Sequence, residues 1–205
     1  ILGLHHKHGL LDSFLGSFAQ SILKGTHRQM MVVKCLMPVN TMRRLMVAVP
    51  PKAEFEAGFY KWVERLARIG GQLGCRVHFW AHPDTILRIN GYLKKFHGNV
   101  RVEFSPMDDW DDLLLMSSKV AYDHLVVIVS ARKGAISYQS SFEELPTQIT
   151  KYFSNCSLML IYPDQLGDPL ENLTFSSPRG QSENPIYDHV SKWVYKWMKK
   201  GEEQG

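Results

Sequence analysis

The chain has 205 residues, 44% of them hydrophobic and 21% charged, with a formal net charge of +4. That composition is long and apolar enough for one well-buried core plus part of a second. The small positive charge is spread along the chain without a stripe of Lys and Arg, so no nucleic-acid partner is expected. Cys35, Cys75 and Cys156 are too few and too far apart for a disulfide framework or a CxxC metal site, which suits a reducing cytoplasm. The longest apolar runs, 124–131 and 157–162, are strand length, well short of the roughly 18 residues a membrane span needs.

In chain order, residues 1–3 read as the end of a strand. A loop follows, Leu15-Gly16-Ser17 opens a helix, and Met31-Val32-Val33-Lys34 forms a second strand. Glycines at a strand end and at a helix N-terminus let backbone N–H groups approach an anion, whose charge the helix dipole favours. His5, His6 and His8 crowd this loop beside Lys7. Neutral imidazoles can ligate Zn or Ni, but consecutive spacing lacks the i, i+4 geometry of a helical site and no Cys or carboxylate completes a shell, so a solvated basic loop is the preferred reading. Ser17 is expected to cap the helix rather than to attack a substrate.

A linker at residues 38–42 leads into the main body. Residues 44–49 form a nearly continuous apolar run stopped by Pro50-Pro51, as a buried parallel strand should be. Phe55, Phe59, Trp62, Val63, Leu66 and Ile69 recur at helical spacing and predict a helix ending near Gly70-Gly71. Residues 76–80 predict a strand. Pro83 near the start, with Ile86, Ile89, Tyr92 and Leu93 behind it, predicts a helix ending at Gly98. Residues 100–104 alternate and suit a strand near the sheet edge, and 110–120 read as helix. Residues 125–129 make the most hydrophobic strand and so the expected sheet centre; a helix over 142–153 and a strand over 158–162 complete the body.

Five strands alternating with four helices across residues 43–163 imply right-handed βαβ crossovers, and hence an α/β fold with a five-stranded parallel sheet and helices on both faces. Residues 125–162 repeat 1–33 in pattern, with Met31-Val32-Val33 on Leu158-Met159-Leu160 and Lys24 on Lys151. The expected organisation is a partial βαβ repeat over 1–37, read as the C-terminal part of a larger first repeat, then a linker, a complete second repeat over 43–164, and a loop and amphipathic helix over 165–205. In that last segment Ile186, Val190, Trp193, Val194 and Trp197 build one apolar stripe flanked by lysines. It is expected to dock on its own domain, with contact of Trp193 and Trp197 with an anionic membrane surface as the alternative.

Gly3, Gly16 and Ser17 stand at positions of the G-x-x-G-x9-G-[S/T] motif of the universal stress proteins, which this chain resembles over about residues 1–163; His6 stands where the second glycine belongs. The resemblance implies that Gly3, His6, Gly16 and Ser17 mark a degenerate site for ATP or another adenine nucleotide in the first repeat. In the second repeat the family's phosphate loop reads Ala131-Arg132-Lys133-Gly134, Pro50 follows the first strand where an Asp is usual, and Glu143 or Glu144 falls at the helix start. A carboxylate there would repel phosphates, so this repeat is not expected to bind ATP.

Leu4 to Phe14 followed by Leu15-Gly16-Ser17, then Val39-Asn40-Thr41-Met42-Arg43-Arg44 and Val47-Ala48-Val49-Pro50-Pro51, further resemble the subset that occurs as cytoplasmic C-terminal appendages of bacterial cation/proton antiporters. That implies a non-catalytic regulatory module at the cytoplasmic side of the inner membrane, attached to a membrane transport domain and forming a homodimer through strand 30–34 or 158–162. The rival readings are a stand-alone tandem stress protein that binds ATP and a nucleotide-processing enzyme of the related α-hydrolase group.

Overall fold

A computed structural model of the chain describes residues 2–3 and 21–166. The His5, His6 and His8 loop, Gly16, Ser17 and the Trp193 and Trp197 stripe lie outside the described residues.

Seven strands form one sheet: β1 (Leu2–Gly3), β2 (Met30–Lys34), β3 (Arg44–Ala48), β4 (Arg76–Ala81), β5 (Val102–Pro106), β6 (His124–Val129) and β7 (Ser157–Tyr162), in the order β1-β2-β7-β6-β3-β4-β5. Residues 21–25 are helical (α1), followed by α2 (Phe59–Leu73), α3 (Pro83–Phe96), α4 (Leu113–Ser117) and α5 (Leu145–Tyr152). The expected α/β architecture is therefore observed. The apolar strand β6 occupies the middle of the sheet, and the alternating strand β5 occupies an edge.

Successive side chains of a strand face opposite sides of the sheet. Met46, Ala48, Val126, Ile128, Leu158 and Leu160 enter one core with Trp110, Leu113, Phe142, Ile149 and Phe153 from the α4 and α5 segments. Leu45, Val47, Val77, Phe79 and Val127 are equally buried and point the other way, towards α2 and α3. The backbone of α2 rides close on this face: a Cβ on Gly70 would lie 2.5 Å from Val77 Cγ2.

The two strands of the partial repeat join the same sheet. β2 pairs antiparallel with β7 (Met31↔Ile161, Val32↔Leu160, Val33↔Met159, Lys34↔Leu158), and β1 lies parallel to β2 as β6 lies parallel to β7. The last strands of the two expected repeats therefore meet in antiparallel register, centred on Val32↔Leu160. Both β2 and β7 are thus flanked on each side within the chain. The expectation of an edge at β7 is corrected, because β7 lies between β2 and β6, while β2 meets β1 on its outer side at Val32 and Val33.

Element ends differ where side chains override periodicity. Helix α2 runs past Gly70 and Gly71 to Leu73 and stops at Gly74, whose φ of 62° is left-handed and whose N–H closes on the Gly70 and Gly71 carbonyls. The helix expected over 110–120 shrinks to a 3-10 turn, Trp110–Asp112, with a capping box between Asp109 and Asp112, followed by the five residues of α4. There the Ser117 and Ser118 hydroxyls donate to the Leu114 and Leu115 carbonyls and compete with helix propagation. The helix expected over 142–153 divides into a 3-10 turn, Ser140–Glu143, and α5 with Pro146 in its first turn. β5 starts two residues later than expected because the Val100 N–H donates to the His97 carbonyl in a turn.

Candidate functional site

In an open α/β sheet, ligands sit beyond the carboxyl ends of the strands where the winding reverses. From β3 the chain winds outward to β4 and β5, then crosses to β6 and β7, so the reversal lies between β3 and β6. The loop after β3 carries Pro50, Pro51, Lys52 and a 3-10 turn, Ala53–Phe55, before Glu56. Lys52 holds the left-handed φ of 66° that starts this turn. The loop after β6 carries Ser130, Ala131, Arg132, Lys133, Gly134 and Ser137, with Gly134 at φ 88°.

The two loops are tied to each other. Glu56 Oε1 accepts from both the Ser137 backbone N–H and the Ser137 hydroxyl, each at 2.9 Å, and Ser137 is 1% exposed. A backbone N–H and a hydroxyl at the mouth of the reversal, the groups that would greet an anion, are spent on an internal carboxylate. The basic residues of the loop are engaged as well. Arg132 donates through Nη1 to the Pro163 carbonyl and through Nη2 to the Arg28 carbonyl at 2.8 Å, with its guanidinium 5.9 Å from the Tyr162 ring centre. Lys133 pairs with Glu143 at 2.7 Å, and this hydrogen bond holds the Glu143 carboxyl below its usual range. Glu143 lies in the 3-10 turn and Glu144 stands at the residue before α5 with no side-chain capping bond, so the carboxylates expected at the helix start are present there.

The first repeat contributes to the same end of the sheet. Asp164, 2% exposed, accepts from Lys61 Nζ at 3.2 Å and from the Leu166 N–H at 2.9 Å, and lies 3.8 Å from Arg28. Burial pushes its carboxyl up, and the Leu166 N–H, Lys61 and Arg28 together outweigh it, so the net shift is downward. The backbone just before β2 is joined to the end of β7 through the Gln165 N–H on the His27 carbonyl at 2.9 Å.

Beside the closed reversal is an open cleft of about 680 Å³ between the β3 loop and the start of α3. Phe55 and Leu87, 65% and 69% exposed, supply its apolar walls, and Lys52, His82 and Arg88 its polar rim. Glu54 is fixed there by the buried Thr85 hydroxyl at 2.6 Å, and His82 Nδ1 accepts the Asp84 N–H to cap α3. Among the described residues, no three His, Cys, Asp or Glu side chains converge as metal ligands. No described helix is long and apolar enough to cross a membrane.

Of the residues singled out from the sequence for the first site, Gly3 is placed, at the end of β1; His6, Gly16 and Ser17 fall outside the described residues. Sequence reasoning missed Glu56 and Ser137. Their signal is a contact across 81 positions that no local pattern encodes. Pro50 and Ala131, also singled out from the sequence, lie in the loops bordering the reversal.

No family model matches the chain, and no curated protein is significantly similar to it. Among solved structures it is similar to one from Pseudomonas aeruginosa UCBPP-PA14, provisionally named a universal stress protein, at 14% identity and a TM-score of 0.42. The match covers 79% of this chain and 62% of that one, so this chain spans less than two thirds of the neighbour's length.

Proposed function

We propose that this chain is a non-catalytic, universal stress protein-like regulatory domain of a monovalent cation/proton antiporter, facing the cytoplasm at the inner membrane. The antiporter part of the reading rests on the resemblance carried by Val39 to Arg44 and Val47 to Pro51. The non-catalytic part rests on one observation, the closure of the strand reversal by Glu56 on Ser137. A phosphate brought to about 4 Å from that carboxylate meets a repulsion of about 4 kcal/mol per charge pair at an effective dielectric of 20. Packing on both faces of the sheet is retained while the Ser137 N–H and hydroxyl are taken by Glu56. What is left to act is surface, which is how a domain attached to a transporter would work.

Calorimetric titration of the 205-residue chain with ATP is expected to show little or no binding heat. Stoichiometric binding that persists in a Gly16→Asp variant would place a nucleotide in the second repeat and overturn the closed-crevice argument. Binding abolished by Gly16→Asp would favour the second reading, a tandem stress protein that holds ATP in its first repeat. That reading draws on the placement of Gly3 at the carboxyl end of β1, parallel to β2.

A homodimer is also proposed, built on surfaces other than the β2 and β7 ladders. Light scattering at tens of micromolar should give twice the chain mass, and a Val33→Lys substitution inside the sheet should lower stability without selectively dissociating the dimer. A strictly monomeric species would remove the dimer from the proposal.

A further inference from the structure

The opposite, N-terminal end of the sheet gathers an unusual set of charges on one face. Arg44 of β3 is in register with Arg76 of β4 on one side and His124 of β6 on the other, and His78 of β4 is in register with Glu103 of β5. Glu103 is shared: Arg76 Nη1 donates to Oε1 at 2.9 Å, Arg44 Nη1 lies 3.1 Å from Oε2, and His78 Nδ1 lies 3.7 Å from Oε2. The segment between α4 and β6 closes over this face, with Lys119 Nζ 4.9 Å from the Trp80 ring centre. On that segment Asp123 sits 3.7 Å from Arg43 Nε and 3.7 Å from His124 Nε2.

The neutral ring of His124 is held in one tautomer by this arrangement. Its Nδ1 accepts the Ala121 N–H at 3.1 Å, while its own backbone N–H donates to the Ala121 carbonyl at 3.1 Å. Nδ1 is therefore the unprotonated nitrogen. His78 holds Ser105 Oγ through Nε2 at 2.9 Å, leaves Nδ1 buried without a hydrogen-bond partner, and lies 5.2 Å from Trp80, ring centre to ring centre. The side chains of His78 and His124 are 11% and 15% exposed.

We propose that this cluster is a proton-operated switch, in which protonation of His124, reinforced by that of His78, releases the Ala121 turn and the Lys119 contact from the sheet. A proton on Nδ1 sets donor against donor at Ala121, and that bond has to break. Two new positive charges join Arg44, Arg76 and Lys119 with only Glu103 and Asp123 to answer them, and both carboxylates already serve arginines. The proposal concerns this chain by itself and is independent of the transporter reading.

Burial pushes both imidazoles below the ordinary value near 6.5; Glu103 and Asp123 pull His78 and His124, respectively, back up, and Arg44 pushes both further down. The sign follows. A depressed folded-state pKa gives stability that is fully present above about 6.5 and is lost as pH falls through the folded-state values.

The test is amide hydrogen exchange on the 205-residue chain, with Val127 in the sheet centre as internal standard. The Ala121 protection factor is expected to fall relative to Val127 between pH 7.5 and 5.0, steepening towards tenfold per pH unit below the folded-state value of His124, where each unit changes the ratio of protonated to neutral imidazole tenfold. His124→Asn should abolish most of that fall, because Asn Oδ1 occupies the place of Nδ1, accepts the same N–H and cannot titrate. If that variant does not fold, the imidazole signals of the unaltered chain decide by NMR, where His124 should titrate below 6.5. Constant Ala121 protection, an equal fall in a folded His124→Asn variant, or a His124 titration at or above 6.5 would each overturn the switch.

Discussion

Replacing Gly58 with Ala should lower stability by about 3 kcal/mol, the upper end of the usual overpacking range. Gly58 is the residue before α2, and its φ of −93° is open to any amino acid, so the reason for glycine is space. A Cβ there would lie 2.6 Å from both the N and O atoms of Asp164 and 2.8 Å from its Cβ. Those backbone atoms cannot step aside. Asp164 is fixed by Lys61 and the Leu166 N–H, and the carbonyl before it receives Arg132. The strain thus reaches the joint that binds the backbone before β2 to the end of β7. For a chain of this size the loss corresponds to a fall of roughly 10 °C in melting temperature. Gly91→Ala is the matched control, being in mid-α3 with nothing within 4 Å of the added methyl, and should stabilise by about 0.5–1 kcal/mol. Equal melting temperatures for Gly58→Ala and the unaltered chain would refute the close approach of the α2 start to Asp164.

In the proposed full-length transporter, deleting residues 43–205 should shift the pH or ion dependence of exchange while exchange itself continues. The complete repeat keeps every apolar strand and helix face that packing requires, while Glu56 and Lys133, which border the strand reversal, are paired within the chain. A module of that kind modulates through contact. The deletion also removes β7 and so leaves β2 with an unpaired ladder edge, which makes membrane insertion of the deleted protein the necessary control. Complete loss of exchange in an inserted, folded deletion would show that the division of labour is wrong. An unchanged activation profile would remove the regulatory role.

The order of strands and helices, the central place of β6 and the edge place of β5 were legible in the sequence. Each rests on short-range properties: apolar runs for strands buried on both faces, three- and four-residue spacing for helices, and alternation for an exposed edge. The similarity read between residues 1–33 and 125–162 is also a comparison of local patterns. How the two segments meet was not legible there. Val32 pairs with Leu160 in an antiparallel register that no local pattern of either segment encodes. The same holds for the site. Pro50 and Ala131 were readable as departures from a motif, but Glu56 reaches Ser137 only because two loops end side by side at the top of β3 and β6. Arg44, His78, Glu103 and His124 come from four strands, and each alone looks like an ordinary strand residue. Arg44, Arg76 and His78 meet on Glu103 at 2.9 to 3.7 Å, and His124 is in register with Arg44, through parallel strand pairing; electrostatic interactions at that range are a property of the assembled sheet that no single segment carries.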